Sequence, residues 1–275
     1  MIKSICLVRL SALGDVLMFV PLVRALQKHF PEARISCIIS PFAYDLVSGL
    51  AEIDFIVLEK PRSLRDYWRF KQRLKDQHFD VLLAAQASFR ANCLYPLISA
   101  TRKIGYDKAR AKDGHRWFID ETIEPGRDHT LEGFLKFAAV LGVPYAPPVW
   151  QLPVGDKAYA WARAQMQSSD LPVLVINPAA SKPERSWFAP DYVKVIQFVL
   201  SRWAVQVSLI GGPGAQDKAL GDAIAAKTTV TNLIGQSTPR QLLALIDLAT
   251  LVLCPDTGPA HMAAAMNTPV IALHA

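Results

Sequence analysis

The feature that most constrains the fold of this chain is a repeated alternation of short apolar runs with longer segments of helical spacing. Short apolar runs bounded by turn residues are typical of buried strands. Regular alternation of strand and helix indicates a parallel sheet with right-handed crossover connections. The predicted strands cover residues 4–9, 35–39, 55–58, 81–85, 102–106 and 116–119, and then 173–176, 206–210, 230–233, 251–253 and 270–273.

The predicted helices fall between these strands, and a proline-rich stretch at 144–153 separates two series. They cover residues 15–29, 42–49, 63–77, 89–99, 129–141, 157–167, 190–202, 215–227, 239–246 and 260–266. We therefore predict an α/β protein with two Rossmann-like doubly wound domains, 1–155 and 156–275, facing each other across a cleft. Because the sequence stops soon after its last strand, the second domain is expected to be truncated at its C-terminus.

Composition excludes several classes of protein. Half of the residues (51%) are hydrophobic, which predicts a packed globular protein. No apolar run reaches the roughly 18 residues that a membrane span needs, and the N-terminus has no signal-peptide layout. Four scattered cysteines without a CxxC pair favour core thiols in a reducing cytoplasm over disulfides or zinc. The sequence thus predicts a cytoplasmic location.

The positive charge is concentrated in one segment. Residues 60–116 contain 14 lysines and arginines against 5 aspartates and glutamates. A local basic surface implies an acidic partner. Nucleic acid is one such partner, and an anionic lipid or a sugar acid fits the charge equally well. No nucleic-acid-binding module or interleaved set of aromatic residues accompanies the basic segment, so we expect no nucleic-acid partner.

The stretch from Leu253 to His261 combines a buried strand with a tight turn and a helix start. Asp256 and Thr257 are N-cap candidates, Gly258 permits close backbone approach, and Pro259 suits a first helical position. Free N–H groups at such a helix start form an anion site, most often for phosphate. An ordinary, well-capped turn remains the alternative.

Three further loops follow predicted strands. Asp15 lies at a helix start where N–H groups stabilise a carboxylate, so it is either a general base or only a helix cap. Ser181, Lys182 and Arg185 could clamp a diphosphate, or belong to a solvated loop. The glycines at 211–214 permit close approach but lack dinucleotide-binding spacing, so this signal is weak alone.

Asp256 restricts the chemical class of the expected ligand. A carboxylate repels a diphosphate, but it can accept hydrogen bonds from sugar hydroxyls just beyond one. A ligand that needs both phosphate-binding amides and a carboxylate at one helix start is a nucleotide-sugar.

Four motifs in this order resemble those of the ADP-heptose:lipopolysaccharide heptosyltransferases, glycosyltransferase family nine. The resemblance covers essentially the whole chain, and the last motif is the most specific. The motifs are Arg9-x-Ser11-x-Leu13-Gly14-Asp15, Ser181…Arg185-x-Trp187, Gly211-Gly212-Pro213 and Asp256-Thr257-Gly258-Pro259-x-His261.

The resemblance implies a GT-B architecture and inverting transfer of heptose from ADP-heptose to the Kdo/heptose inner core, with no cofactor or metal. It also implies Asp15 as catalytic base and Kdo-lipid A or heptosyl-Kdo-lipid A as acceptor, reached from the inner face of the cytoplasmic membrane as a peripheral protein. The implied donor-binding residues are Ser181, Lys182, Arg185, Gly212, Asp217 (or Gln216), Ser237, Thr238, Asp256, Thr257, Gly258 and His261.

The acceptor carries carboxylates and phosphates, which gives the basic segment a reason. The acceptor-binding candidates are Arg9, Ser11, Arg62, Arg65, Arg69, Arg102 and Arg116. The sequence departs from the family at Ala180, where many members have a hydroxyl, and at Arg185, where many have lysine. A relative with another donor or acceptor, and a non-catalytic nucleotide-binding module, remain alternatives.

Overall fold

The computed structural model describes residues 1–166, 170–180 and 182–274. The chain divides into an N-terminal unit, Met1–Leu152, and a C-terminal unit, Pro153–Ala275. The division falls three residues before the boundary placed at 155 from the sequence, within an irregular segment that precedes the next helix.

The N-terminal unit is built on a parallel sheet of order β3-β2-β1-β4-β5-β6. Strands that are covered on both faces are apolar along their whole length, and β1 and β4 are buried throughout their centres. The strands are β1 (Ser4–Val8), β2 (Arg34–Ile39), β3 (Ile53–Val57), β4 (Phe79–Ala84), β5 (Ala100–Gly105) and β6 (Glu121–Thr122).

Helices cover both faces of this sheet. On one face Phe70 and Leu74 pack against Cys6 and Val8 of β1. Elsewhere Phe19 and Phe134 join two helices with ring centroids 5.6 Å apart in an edge-to-face contact. The helices are α1 (Leu13–His29), α2 (Pro41–Val47), α3 (Leu64–Arg73), α4 (Phe89–Asn92) and α5 (Thr130–Val140).

The C-terminal unit repeats the plan with a parallel sheet of order β11-β10-β7-β8-β9. Its core packs Ile176, Leu209 and Leu253 of the sheet against Tyr192 and Ile196. The strands are β7 (Val173–Ile176), β8 (Gln206–Leu209), β9 (Thr231–Asn232), β10 (Leu251–Pro255) and β11 (Val270–Leu273). The helices are α6 (Asp156–Ala164), α7 (Ala189–Arg202), α8 (Ala215–Ala225), α9 (Pro239–Asp247) and α10 (Gly258–Met266).

In each sheet the first strand of the unit has the next two strands on one side. On its other side lie three strands in the N-terminal unit and two in the C-terminal unit. This order is characteristic of doubly wound nucleotide-binding folds. The predicted fold class, α/β with two such domains, is confirmed.

Two secondary-structure predictions are wrong in detail. Residues 116–119 do not form a strand, because Gly114 (φ +76°) turns the chain into a 3₁₀ helix, His115–Phe118, before the short β6. The helix predicted over 89–99 ends at Asn92 and is followed by a 3₁₀ turn, Tyr95–Leu97. Pro96 lacks the N–H that a continuing α-helix would need there.

Candidate active site

Ligands of doubly wound sheets bind beyond the carboxyl ends of the strands where the strand order reverses. In the N-terminal unit this switch point lies between β1 and β4, and in the C-terminal unit it lies between β7 and β10. The loops after these four strands contain most of the residues singled out in the sequence.

Arg9, directly after β1, ties the N-terminal switch point together. Arg9 is 8% exposed, and its Nη1 donates to the carbonyl of Ala85, after β4, at 2.8 Å. Its Nη2 donates to Oδ2 of Asp15. The guanidinium also lies over the Phe134 ring, 5.2 Å from the centroid. Arg9 is therefore a fixed, buried cation that orients the Asp15 carboxylate.

Asp15 is the third residue of α1 and is capped as well as paired. The N–H of Ala12 donates to Asp15 Oδ2 at 3.2 Å, which is half of a capping-box arrangement. Its side chain is 33% exposed. Among the described residues, the hydrogen bonds to this carboxylate are made to Oδ2, so Oδ1 is the oxygen that can meet a substrate hydroxyl. Capping and a role as base are compatible.

Gln86 is a site residue that the sequence reasoning missed. Its Oε1 accepts the N–H of Leu10 at 2.7 Å, and its Nε2 donates to the hydroxyl of Ser11 at 3.3 Å. Its own carbonyl accepts the buried Tyr95 hydroxyl at 2.5 Å. Gln86 thereby joins the loop after β4 to the loop after β1. The available signal was a polar side chain directly after the predicted strand 81–85.

A cavity of about 630 Å³ opens beside these loops and is lined by Ser11, Lys60 and Arg90. Lys60 also lines a smaller, neighbouring cavity that contains Arg62 and Arg69. Three of the predicted acceptor residues, Ser11, Arg62 and Arg69, therefore line adjoining cavities on this unit. Arg65 is exposed on α3.

Arg102 and Arg116 lie elsewhere. Arg102 is inside β5, opposite Val81, and is bound by Glu121 through two hydrogen bonds of 2.7 and 2.8 Å. This pair raises the pKa of Arg102 and lowers that of Glu121. Arg116 is exposed on the 3₁₀ helix. The structure does not bring either side chain to the loops of the switch point.

In the C-terminal unit, Asn177 joins the two loops of the switch point. Asn177 follows β7 and is 3% exposed. Its Nδ2 donates to the carbonyl of Ala179 at 2.9 Å and to the hydroxyl of Thr257 at 3.2 Å. Thr257 in turn donates to the carbonyl of Pro255 at 3.1 Å. The sequence reasoning gave Asn177 no role, although it follows a buried strand.

Thr257 is the N-cap of α10 and Gly258 is its first residue. Pro259 has no N–H, and the N–H of Ala260 bonds to the carbonyl of Thr257 at 3.0 Å. Helix geometry leaves the Gly258 N–H without an acceptor inside the helix. Asp256 is exposed beside it, and His261 is half-buried in the first turn. The residues predicted to bind the phosphate and the sugar are thus adjacent at one helix start.

The loop after β7 supplies two cations. Lys182 and Arg185 are exposed, and Arg185 lies in a 3₁₀ turn, Pro183–Arg185. The hydroxyl of Ser186 accepts the N–H of Ala180 at 2.8 Å and braces the loop. Ser181, a predicted donor-binding residue, lies outside the described residues.

The side chains of Asp217 and Thr238 bond to backbone groups. Asp217 Oδ1 accepts the N–H of Gly212 at 2.8 Å, which fixes the glycine loop on the start of α8. Thr238 caps α9, where its hydroxyl accepts the N–H of Gln241 at 3.3 Å. Ser237, next to this cap, is half-buried. Roles of these residues toward adenosine stay predictions.

The cysteines are free thiols in the structure. Burial raises the pKa of Cys37 and of Cys254 to about 12, so both stay protonated. The described residues contain no group of three or more His, Cys, Asp or Glu placed to hold a metal ion. They also contain no helix with the length and apolarity that crossing a bilayer requires.

Comparisons with known proteins agree on one family. Residues 67–275 match the model of glycosyltransferase family 9 (heptosyltransferase). The chain is 34% identical to the lipopolysaccharide core heptosyltransferase OpsX of Haemophilus influenzae, over 99% of this chain and 79% of that protein. It is 25% identical to lipopolysaccharide heptosyltransferase 3 of Escherichia coli K12, over 94% of this chain and 79% of that protein.

Solved structures show the same fold. A family 9 glycosyltransferase from Veillonella parvula superposes with a TM-score of 0.86 at 19% identity, covering 98% of this chain and 80% of that one. Escherichia coli heptosyltransferase WaaC with ADP-2-deoxy-2-fluoro heptose gives a TM-score of 0.80 at 17% identity, covering 98% and 88%. The motifs, the two doubly wound sheets and these relatives together establish that the chain belongs to glycosyltransferase family 9, the heptosyltransferases.

Proposed function

We propose that this glycosyltransferase transfers L-glycero-D-manno-heptose from its ADP-activated form to the Kdo/heptose inner core of lipopolysaccharide, with inversion at the anomeric carbon. The observation that carries the proposal is the Asp15 carboxylate, which is one-third exposed and held through Oδ2 by the buried Arg9. A general base must be fixed and must keep one oxygen for the substrate, and Asp15 meets both conditions.

In the proposed reaction, Oδ1 of Asp15 takes the proton of an acceptor hydroxyl. The hydroxyl oxygen forms a bond to the anomeric carbon while the bond from that carbon to the β-phosphate oxygen breaks, and ADP leaves. One displacement of this kind inverts the configuration. Since negative charge grows on ADP, the groups that matter most are those aimed at its phosphates.

The C-terminal unit offers those groups without a metal. The Gly258 N–H and the dipole of α10 favour an anion, and Lys182 and Arg185 supply two positive charges on the neighbouring loop. Asp256 then accepts hydrogen bonds from heptose hydroxyls, and His261 contacts the sugar or a phosphate. That Escherichia coli WaaC has been seen with ADP-2-deoxy-2-fluoro heptose supports an ADP-linked donor. We therefore expect activity to survive strong chelators.

The N-terminal unit is the proposed acceptor domain. Lys60, Arg62 and Arg90 line cavities beside the Asp15 loop, and they suit the carboxylates and phosphates of Kdo-lipid A or heptosyl-Kdo-lipid A. Because lipid A is anchored in a bilayer, we propose that the enzyme works in the cytoplasm as a peripheral protein on the inner face of the cytoplasmic membrane.

The test is a transfer assay with both acceptors and ADP-heptose, reading ADP release and the anomeric configuration of the product by NMR. We expect one acceptor to be heptosylated with inversion. Retention of configuration would contradict the single displacement.

A family member with another donor is the second candidate, favoured by the departures at Ala180 and Arg185. Calorimetry with ADP-heptose, UDP-sugars and GDP-sugars separates the two. The proposal requires ADP-heptose to bind at least about tenfold more tightly, a difference of about 1.4 kcal/mol. Tighter binding of another nucleotide-sugar would favour the second candidate.

A further inference from the structure

Helix α3 exposes two large apolar side chains that its own packing does not need. Tyr67, Phe70 and Leu74 hold the helix on the sheet. On the outer side, Leu64 is 88% exposed and Trp68 is 60% exposed. Residues four apart share one face of a helix, so Leu64 and Trp68 form one apolar strip turned toward solvent.

Basic side chains border this strip. At 100° per residue Lys71 lies on one side of it and Arg65 and Arg69 lie on the other, and Lys75 follows just after the end of the helix. All four are exposed. Arg69 pairs with Asp66 at 3.8 Å and Lys75 pairs with Asp76 at 3.9 Å, and both ion pairs are long and solvated. A helix with Trp and Leu on one strip and cations beside it has the pattern of an interfacial, anionic-membrane-binding helix.

The position of α3 relative to the acceptor cavities gives the strip a use. Lys60 and Pro61, which line the larger cavity, lie just before the start of α3 at Leu64. Phe42 and Phe89, 64% and 67% exposed, line the same cavity. An anchor here would hold the cavity mouth close to the surface in which a lipid-linked acceptor is embedded.

We propose that the outer face of α3, formed by Leu64, Trp68 and the flanking Arg65, Arg69 and Lys71, docks on an anionic lipid bilayer together with Lys75, just after the helix. The docking role rests on the proposed function, because a lipid-linked acceptor is what makes it useful. The partner is identified by charge: residues 60–116 carry 14 basic against 5 acidic side chains. Each cation near an anionic surface strengthens binding about fivefold at physiological salt, and the apolar strip adds burial in the headgroup region.

The test is flotation of the full chain with vesicles of phosphatidylethanolamine and phosphatidylglycerol, and with vesicles of phosphatidylcholine alone. Wild type floats with the anionic vesicles and not with the neutral ones. Leu64→Ser with Trp68→Ser lowers the partition coefficient at least about tenfold. Lys71→Gln with Lys75→Gln lowers it by a similar factor, and this loss shrinks in high salt.

A matched control is Trp203→Ser in the C-terminal unit. Trp203 is 57% exposed, close to the value for Trp68, and packs on the exposed Phe198. Residues 156–275 carry 9 basic against 8 acidic side chains, so this exposed tryptophan lies in a nearly neutral part of the sequence. Its variant binds vesicles as wild type does. An equal loss in Trp203→Ser would show that exposed aromatic residues act without the charge pattern.

Activity separates this inference from the proposed function. With a delipidated, Kdo-bearing acceptor in solution, the Leu64→Ser, Trp68→Ser variant keeps the wild-type kcat/KM, and with acceptor in vesicles its rate falls. Transfer in solution without vesicle binding by wild type would overturn the docking surface and leave the function intact. Vesicle binding without transfer to any acceptor would overturn the function alone. Vesicle binding by the Leu64→Ser, Trp68→Ser variant with the wild-type partition coefficient would also overturn the docking surface.

Discussion

The two units build their switch points from the same strand order but with different chemistry. In the N-terminal unit a charged pair, Arg9 with Asp15, is held against the loop after β4. In the C-terminal unit a neutral amide, Asn177, bonds to the Thr257 hydroxyl at the start of α10. In the proposed function, the first arrangement positions a base and the second leaves a helix start open to an anion. On these proposed roles, one topology prepares a proton-transfer site and a phosphate site at equivalent places.

The largest expected effect comes from removing the cation of the charged pair. Arg9→Gln leaves the Asp15 carboxylate without its cation and removes one of the two donors to the Ala85 carbonyl, which keeps the Tyr106 hydroxyl at 3.0 Å. We expect the free energy of unfolding of the N-terminal unit to fall by about 2–4 kcal/mol. Urea denaturation measures it. Arg9→Lys keeps the charge but not the planar guanidinium that bonds to both Asp15 and Ala85, so it should lose less stability. Equal losses in the two variants would show that the retained positive charge does not contribute.

Asn177→Ala tests the neutral counterpart. The change leaves the Ala179 carbonyl and the Thr257 hydroxyl short of a hydrogen-bond donor at a buried site, which costs about 1–3 kcal/mol. We expect weaker ADP binding by about tenfold in calorimetry. The KM for acceptor should stay unchanged. A change in the acceptor KM without a change in ADP affinity would contradict the assignment of this loop to donor binding.

Gln86→Ala is the corresponding test on the N-terminal unit, where we expect the acceptor and not the donor to be affected. It loosens the loop after β1 from the loop after β4, because the bonds of Gln86 to Leu10 and Ser11 are lost while the bond of Arg9 to Ala85 stays. We expect the acceptor KM to rise about fivefold, as for one lost hydrogen bond of about 1 kcal/mol. ADP affinity should be preserved. Steady-state kinetics with each substrate varied in turn separates these quantities.

A dependence on pH is expected from one buried histidine of the N-terminal unit. His115 is buried, accepts the Tyr106 N–H at 3.1 Å and contacts Asn92 at 2.8 Å. Burial lowers the pKa of His115 to about 4 from 6.5. Between these values the unfolded chain binds a proton that the folded chain does not, so stability present above pH 6.5 is lost as the pH falls through 4.

His115→Gln should show a shallower loss of thermal stability between pH 6.5 and 4 than wild type, because it lacks this proton uptake. Thermal unfolding followed by circular dichroism at several pH values measures both slopes. Identical slopes would exclude His115 as their source.

The sequence was sufficient for the fold class because the central strands of both sheets, β1, β4, β7 and β10, are largely apolar, and the strand–helix alternation is legible without an alignment. It was insufficient for 116–119, where Gly114 turns an apparently strand-like run into a 3₁₀ helix. Gln86 and Asn177 could not be assigned from the sequence, because their partners depend on which strands are neighbours. The pairing of Arg102 with Glu121 across β5 and β6 was hidden for the same reason.

The central claim, that Asp15 is the base on a unit separate from the donor-binding loops, is tested most directly by Asp15→Asn. A general base contributes about 10²–10⁴-fold to the rate, so kcat should fall by that factor while ADP-heptose affinity in calorimetry stays within about twofold, under 0.5 kcal/mol. Asp191→Asn, which changes a half-exposed acid at the third position of α7, is the control and should keep full kcat. A near-normal kcat in Asp15→Asn would contradict the account.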